Sequence, residues 1–199
     1  MLNILLIRTG QTDYDTQGRI QGTIDLPLSD EGRQKVAGLA GELSQIPVEA
    51  IFAGPGVATQ QTAELVADFL NQKVKSNKNL RNLDLGLWQG MLIADVKSNQ
   101  PKVYRKWLEN PETVCPPEGE TLQAAQERLQ DVVAKLSKKH KEGTVAFVVP
   151  EPLASILVHV LRDADFGNLW QSCCQSRPAW ELIPAPQPLA IAGSTPSAE

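Results

Sequence analysis

The chain opens on a mostly apolar run, Leu2 to Ile7, which breaks into Arg8-Thr9-Gly10-Gln11-Thr12, and a second such run, Thr144 to Val149, lies towards the other end. Apolar runs of this length without alternation suit strands covered on both faces, as in a parallel sheet between two layers of helices. A buried strand that delivers an arginine and a glycine into a loop is also how α/β proteins build anion sites at the carboxyl edge of a sheet.

The segments between these runs supply the helices. Ser29 caps a helix predicted near 30 to 45, with Asp30 and Glu31 in its first turn and Val36, Leu39, Ala40 and Leu43 on its apolar stripe. Gly38 and Gly41 weaken this helix in isolation, so it relies on packing. A strand around 49 to 53 leads through Pro55 into a second helix, whose expected buried face is Thr62, Leu65, Val66 and Phe69. This rhythm implies a parallel, right-handed crossover. Thr121 caps a long helix carrying Leu122, Ala125, Leu129, Val132, Val133 and Leu136, which closes in a basic run and Gly143. Leu153 to Leu161 reads as a further helix and Trp180 to Ile183 as a last strand. The expected fold is α/β, a three-layer sandwich with a largely parallel central sheet and helices on both faces.

A length of 199 residues fits one domain. It is expected over 1–183, with a cap insertion at about 75–118 and a Pro/Ala/Ser-rich tail over 184–199. In the cap, Trp88, Trp107 and Tyr104 are read as a miniature core rather than a stacking platform. With 19 basic against 23 acidic residues and no clustered basic surface, a nucleic-acid partner is not expected. No run approaches the roughly 20 apolar residues of a membrane span, and the start lacks signal-peptide features, so a cytoplasmic protein is expected. The three cysteines, Cys115 and the vicinal Cys173 and Cys174, have no metal-type spacing and read as idle thiols. His140 and His159 are the two histidines, His159 reading as a packed or surface residue; no metal site and no cofactor are expected.

Several short motifs occur in a telling order: Arg8-Thr9-Gly10-Gln11-Thr12 with Gly18-Arg19 and Gln21-Gly22, then Asp25-Leu26-Pro27-Leu28-Ser29, Gln61-Thr62-Ala63-Glu64, Asp84 to Gly90, and Pro117-Glu118-Gly119-Glu120-Thr121. Together they resemble the histidine phosphatase superfamily, the phosphoglycerate mutases and their relatives. The resemblance implies a phosphorylated nucleophilic histidine, two arginines and a second histidine around the phosphoryl group, an asparagine that hydrogen-bonds it, and a carboxylic acid for the leaving oxygen.

Matched residue by residue, Arg8 keeps the first arginine, and its planar fork could bind two phosphate oxygens. Thr9 stands at the nucleophile position, an alcohol that needs a neighbouring base. Asp15 replaces the asparagine with a group that only accepts hydrogen bonds when ionised. Ala58 replaces the second arginine, Asn82 the acid, and Pro150, followed by Glu151, the second histidine. Loss of three cationic or potentially cationic groups, at roughly 1.5 to 3 kcal/mol each, removes on the order of three to six decades of phosphate affinity.

These replacements lead to the expectation of a catalytically inactive domain with a binding, scaffolding or regulatory role, its former phosphate pocket lined by Arg8, Thr9, Asp15, Ala58, Asn82, Pro150 and Glu151. Arg8 should then turn to Asp15, Glu151 or backbone carbonyls. Two alternatives remain open: a hydrolase or cation-binding enzyme that uses Asp13, Asp15 and Glu151, and residual phosphomonoesterase or phosphoglycerate mutase activity. The partner would be an unidentified protein or small molecule, and a homodimer is left open.

Overall fold

In a computed structural model, which describes residues 1–164 and 178–186, the two apolar runs pair side by side in the middle of one sheet. Strand β1 spans Leu2–Arg8, β2 Ala50–Ala53, β3 Val74–Ser76, β4 Gly143–Val149 and β5 Trp180–Pro184, in the order β3-β2-β4-β1-β5. All neighbours are parallel except β5, which runs antiparallel to β1. Leu2 lies opposite Gly143 and Arg8 opposite Val149, so β1 and β4 run out together at one edge. There the Thr9 N–H donates to the Val149 carbonyl at 3.0 Å.

Side-chain alternation along β1 divides the core in two. Leu5 and Ile7 pack with Val36, Leu39, Leu43, Ala63 and Val66 of helices α2 (Asp30–Leu43) and α3 (Val57–Leu70). Ile4 and Leu6 pack on the other face with Leu129, Val133, Phe147 and Ile156, where α6 (Leu122–Lys139) and α7 (Leu153–Arg162) lie. The architecture is the three-layer α/β arrangement expected, with β5 as the one antiparallel strand among the described residues.

Helix α6 follows its pattern closely: all six stripe residues are buried, and Thr121 Oγ1 accepts from the Ala124 N–H at 3.1 Å. Gly143, read as the glycine that closes this helix, instead opens β4 at φ +85°, where an added Cβ would lie 1.8 Å from a Glu49 carboxylate oxygen.

The face of α3 needs correction. Thr62 and Val66 are buried as expected, but Phe69 is exposed, and the small residues Ala63 and Ala67 pack with the strand residues of the core. Apolar residues surround this helix, so periodicity does not select a face, and close approach to the strands favours alanine over phenylalanine.

Residues 77–118 carry α4 (Ile93–Asn99) and α5 (Pro101–Glu109) between single turns of tighter helix. Trp88 and Trp107 are buried with rings 5.4 Å apart and perpendicular, and Tyr104 lies 5.9 Å from Trp107, so these aromatics form packing, as expected. A short helix, α1 (Asp13–Gln17), follows the β1 loop. At the far sheet edge β3 has three residues, and Lys75 lies 5.5 Å from the centre of the Phe52 ring.

Cys115 is exposed; Cys173, Cys174 and all but the first residues of the tail lie outside the described residues. No described helix is long and apolar enough to cross a membrane.

Two glycines let the β1 loop reach α2. A Cβ on Gly10 would meet Val36 Cγ2 at 2.6 Å, and one on Gly32 would meet the Gln11 carbonyl oxygen at 2.2 Å. Gly38, on the same helix, has nothing within 4 Å of an added Cβ. Urea unfolding should therefore give opposite signs within one helix. Gly38→Ala should stabilise by about 0.5–1 kcal/mol through helix propensity. Gly32→Ala should destabilise by about 1–3 kcal/mol, since the clash displaces backbone.

Candidate active site

A cleft of about 270 Å³ opens where β1, β2 and β4 end. Its walls come from Thr9 and Gly10 after β1, Gln21 to Asp25 beyond α1, Gly54 to Thr59 from the end of β2 into α3, Leu80 to Asn82, and Pro150 after β4. This is the crevice in which open α/β sheets place ligands.

Of the expected site residues, Thr9, Asp15, Ala58, Asn82 and Pro150 line the cleft, whereas Arg8 and Glu151 do not. Arg8 is 8% exposed, and its guanidinium turns to other partners. Its Nε donates to Glu151 Oε1 at 2.8 Å, Nη1 to the Pro178 carbonyl at 2.9 Å and Nη2 to Glu181 Oε1 at 2.6 Å. Glu151 in turn accepts from Ser155 through its amide at 3.2 Å and its hydroxyl at 2.6 Å, while Glu181 also pairs with Arg162 at 2.8 Å. The expectation that Arg8 turns to Glu151 and a backbone carbonyl holds, with Glu181 in place of Asp15. Placing Arg8 and Glu151 in the pocket is corrected: a buried guanidinium must satisfy its donors, and these two carboxylates lie away from the cleft.

Thr9 Oγ1 lies 3.0 Å from Thr59 Oγ1, with Thr59 buried on the first turn of α3. Thr62 Oγ1 accepts from the Gly10 N–H at 3.1 Å and donates to the Ala58 carbonyl at 2.8 Å. Asp15 belongs to α1, where its Oδ2 accepts from the Thr12 N–H at 2.7 Å and the Thr12 hydroxyl at 2.9 Å. Asn82 is consumed by structure: Nδ2 donates to the Gly22 and Glu151 carbonyls, both at 2.9 Å, and Oδ1 accepts from the Leu83 N–H at 2.9 Å. Of the acid and base candidates Asp13, Asp15 and Glu151, Asp15 alone borders the cleft. The described residues contain no group of three His, Cys, Asp or Glu side chains placed to hold a metal ion.

Sequence reasoning missed Gln21, Thr23, Asp25, Thr59 and Arg81 as cleft residues. Gln21 and Asp25 sit inside the quoted motifs, so their proximity was readable there; Arg81 only adjoins Asn82, and Thr59 carries no comparable signal. Neither histidine borders the cleft: His140 Nδ1 lies 3.4 Å from Glu49 Oε2, and His159 is half-buried on α7.

The profile of the histidine phosphatase superfamily (branch 1) matches residues 4–178. The chain belongs to that superfamily. Among its relatives, phosphoserine phosphatase 1 of Hydrogenobacter thermophilus is 28% identical over 88% of this chain and 83% of its own length. A probable phosphoglycerate mutase of an Enterobacter species is 29% identical over 77% of this chain and 71% of its own. Among solved structures, a mycobacterial glucosyl-3-phosphoglycerate phosphatase superposes with a TM-score of 0.77 at 26% identity, covering 84% of this chain and 82% of that one.

These relatives correct the expectation of an inactive domain. Superfamily members that match this chain along most of their own length are named as phosphatases and mutases, which points to an enzyme rather than to a scaffold. The replaced residues bear on the route, since a histidine superfamily member without a histidine at its cleft cannot form the phosphohistidine there.

Arg8 couples the ends of β1 and β5 to the turn after β4, so removing one carboxylate should be felt in global stability. Glu151→Ala should cost about 1.5–3 kcal/mol in urea unfolding, with Glu181 still paired to Arg8. Glu151→Gln should cost less, because its amide oxygen still accepts.

Proposed function

We propose that the protein is a phosphomonoesterase acting on a small phosphorylated metabolite, in which water attacks phosphorus directly and Asp15 is the general base. The observation that carries the reading is the likeness, over more than four fifths of each chain, to proteins named as phosphatases of small phosphate esters, phosphoserine phosphatase and glucosyl-3-phosphoglycerate phosphatase. The size of the cleft, at the low end of ligand sites, suits a small substrate.

Water is the better nucleophile on physical grounds. Thr9 Oγ1 has another hydroxyl, Thr59 Oγ1, as its side-chain partner, and a hydroxyl is a poor base for an alcohol. A phosphothreonine would also be far more inert than a phosphohistidine. Asp15 is anchored through Oδ2, while Oδ1 holds no hydrogen bond among the described residues and can accept a proton. In the step proposed, the water oxygen bonds to phosphorus as the ester P–O bond breaks, its proton passes to Asp15, and solvent protonates the leaving alkoxide. Asn82, with both amide groups committed, supplies no proton to that oxygen.

Phosphate release from p-nitrophenyl phosphate, phosphoserine and 3-phosphoglycerate tests the reading. Turnover is expected with no acid-labile phosphoenzyme. The aryl ester should be faster by about 10²-fold or more, because its leaving group needs no general acid. Asp15→Asn restores the residue type of the family resemblance yet should lower kcat by about 10²-fold or more. No phosphate release from any ester would overturn the function, and unchanged or raised kcat in Asp15→Asn would overturn the role of Asp15.

A further inference from the structure

We infer that Arg81 is the anion-binding residue of this cleft, gripping the phosphoryl group in place of both arginines that the family resemblance implies. The inference rests on the reading of the cleft as a phosphomonoester site. Among its described lining residues the charged ones are Asp15, Asp25 and Arg81, so one cation faces two carboxylates. A phosphate ester entering there needs a cationic partner to offset them. Arg8 cannot serve, because its guanidinium is buried outside the cleft on Glu151, Glu181 and the Pro178 carbonyl. Ala58 fills the second arginine position with a methyl group.

Arg81 has the donors and the mounting that this role requires. Its side chain is 44% exposed and makes one bond, from Nη2 to Glu120 Oε1 at 3.0 Å, leaving Nε and Nη1 without a partner among the described residues. Glu120 is itself nearly buried and gripped in two-pronged fashion by Arg128, at 2.7 Å and 2.9 Å. Arg128 also donates to the carbonyls of Asn79 at 2.6 Å and Asn82 at 3.3 Å, bracketing Arg81 on both sides. The backbone of Arg81 is therefore fixed while its guanidinium keeps free edges, the arrangement that lets an arginine bind a phosphate through paired N–H groups at small entropic cost.

Asp25 is turned partly away from competition, because its Oδ1 accepts from the Val57 N–H at the start of α3 at 2.6 Å. Asp15 is likewise held through Oδ2 by Thr12. Neither carboxylate forms an ion pair with Arg81.

The test pairs a titration with kinetics. Inorganic phosphate binding to the full chain, followed by calorimetry, should weaken about tenfold or more in Arg81→Ala and be abolished in Arg81→Glu, with Arg81→Lys between them and wild type. With p-nitrophenyl phosphate, Arg81→Ala should raise KM by a similar factor and lower kcat less. Circular dichroism and thermal melting of the exposed-site variants should match wild type. Phosphate affinity unchanged in Arg81→Ala, or no phosphate binding by wild type at tens of millimolar, would overturn the inference. Wild type that binds phosphate through Arg81 but hydrolyses no ester would leave the anion site standing and overturn the proposed function alone.

Discussion

The burial of one guanidinium organises this molecule. Arg8 ends the strand that runs through the core, where an unsatisfied charge would cost several kcal/mol. Satisfying it draws in Glu151 from the turn after β4, Glu181 from β5 and the Pro178 carbonyl, and through Glu151 the start of α7. Three strand ends and one helix are thereby fixed to each other. Asn82 extends the same frame, since its amide ties the Gly22 loop to the Glu151 carbonyl. The cleft is thus walled by groups whose hydrogen bonds are largely spent on structure, and the second oxygens of Asp15 and Asp25 and two edges of Arg81 stand out against that background.

An emptied family site and an enzyme are compatible once the two kinds of information are separated. Residue-by-residue reading establishes which steps a chain cannot take, here the phosphohistidine, because that needs an imidazole at the end of β1. Likeness over the length of a chain speaks to the class of work the fold does. Phosphoryl transfer to water asks for a base, a cationic partner for the phosphate and a cleft that positions them, and this edge of the sheet places Asp15 and Arg81 on one cleft.

Much of the fold was legible because it rests on long, strongly patterned segments. The runs forming β1 and β4 and the stripe of α6 have one consistent burial solution each. Helix α3 was less so, since alanines and larger apolar residues compete for one face and only tertiary closeness decides. Short α1 was overlooked, although Thr12 with Asp15 three residues on is a local start signal. At the site, position in the family motifs located Thr9, Asp15, Ala58, Asn82 and Pro150 at the cleft. It could not locate Arg8, whose direction is decided by Glu181, a residue more than 170 positions away in the chain. Arg81 was hidden for the opposite reason: it neighbours a motif residue, and its meaning appears only when Glu120 and Arg128 are seen to hold it.

The far side of the sheet has a different consequence. Strand β3 offers three residues of backbone beyond β2, and Lys75 lies across the Phe52 ring at that margin. A neighbouring chain seeking to extend the sheet there finds too few unpaired amides to form a ladder and must bury or displace a charged amine to do so. The same short strand that closes the fold acts as a gatekeeper at this edge, shielding the strongly apolar central strands from edge-to-edge pairing there.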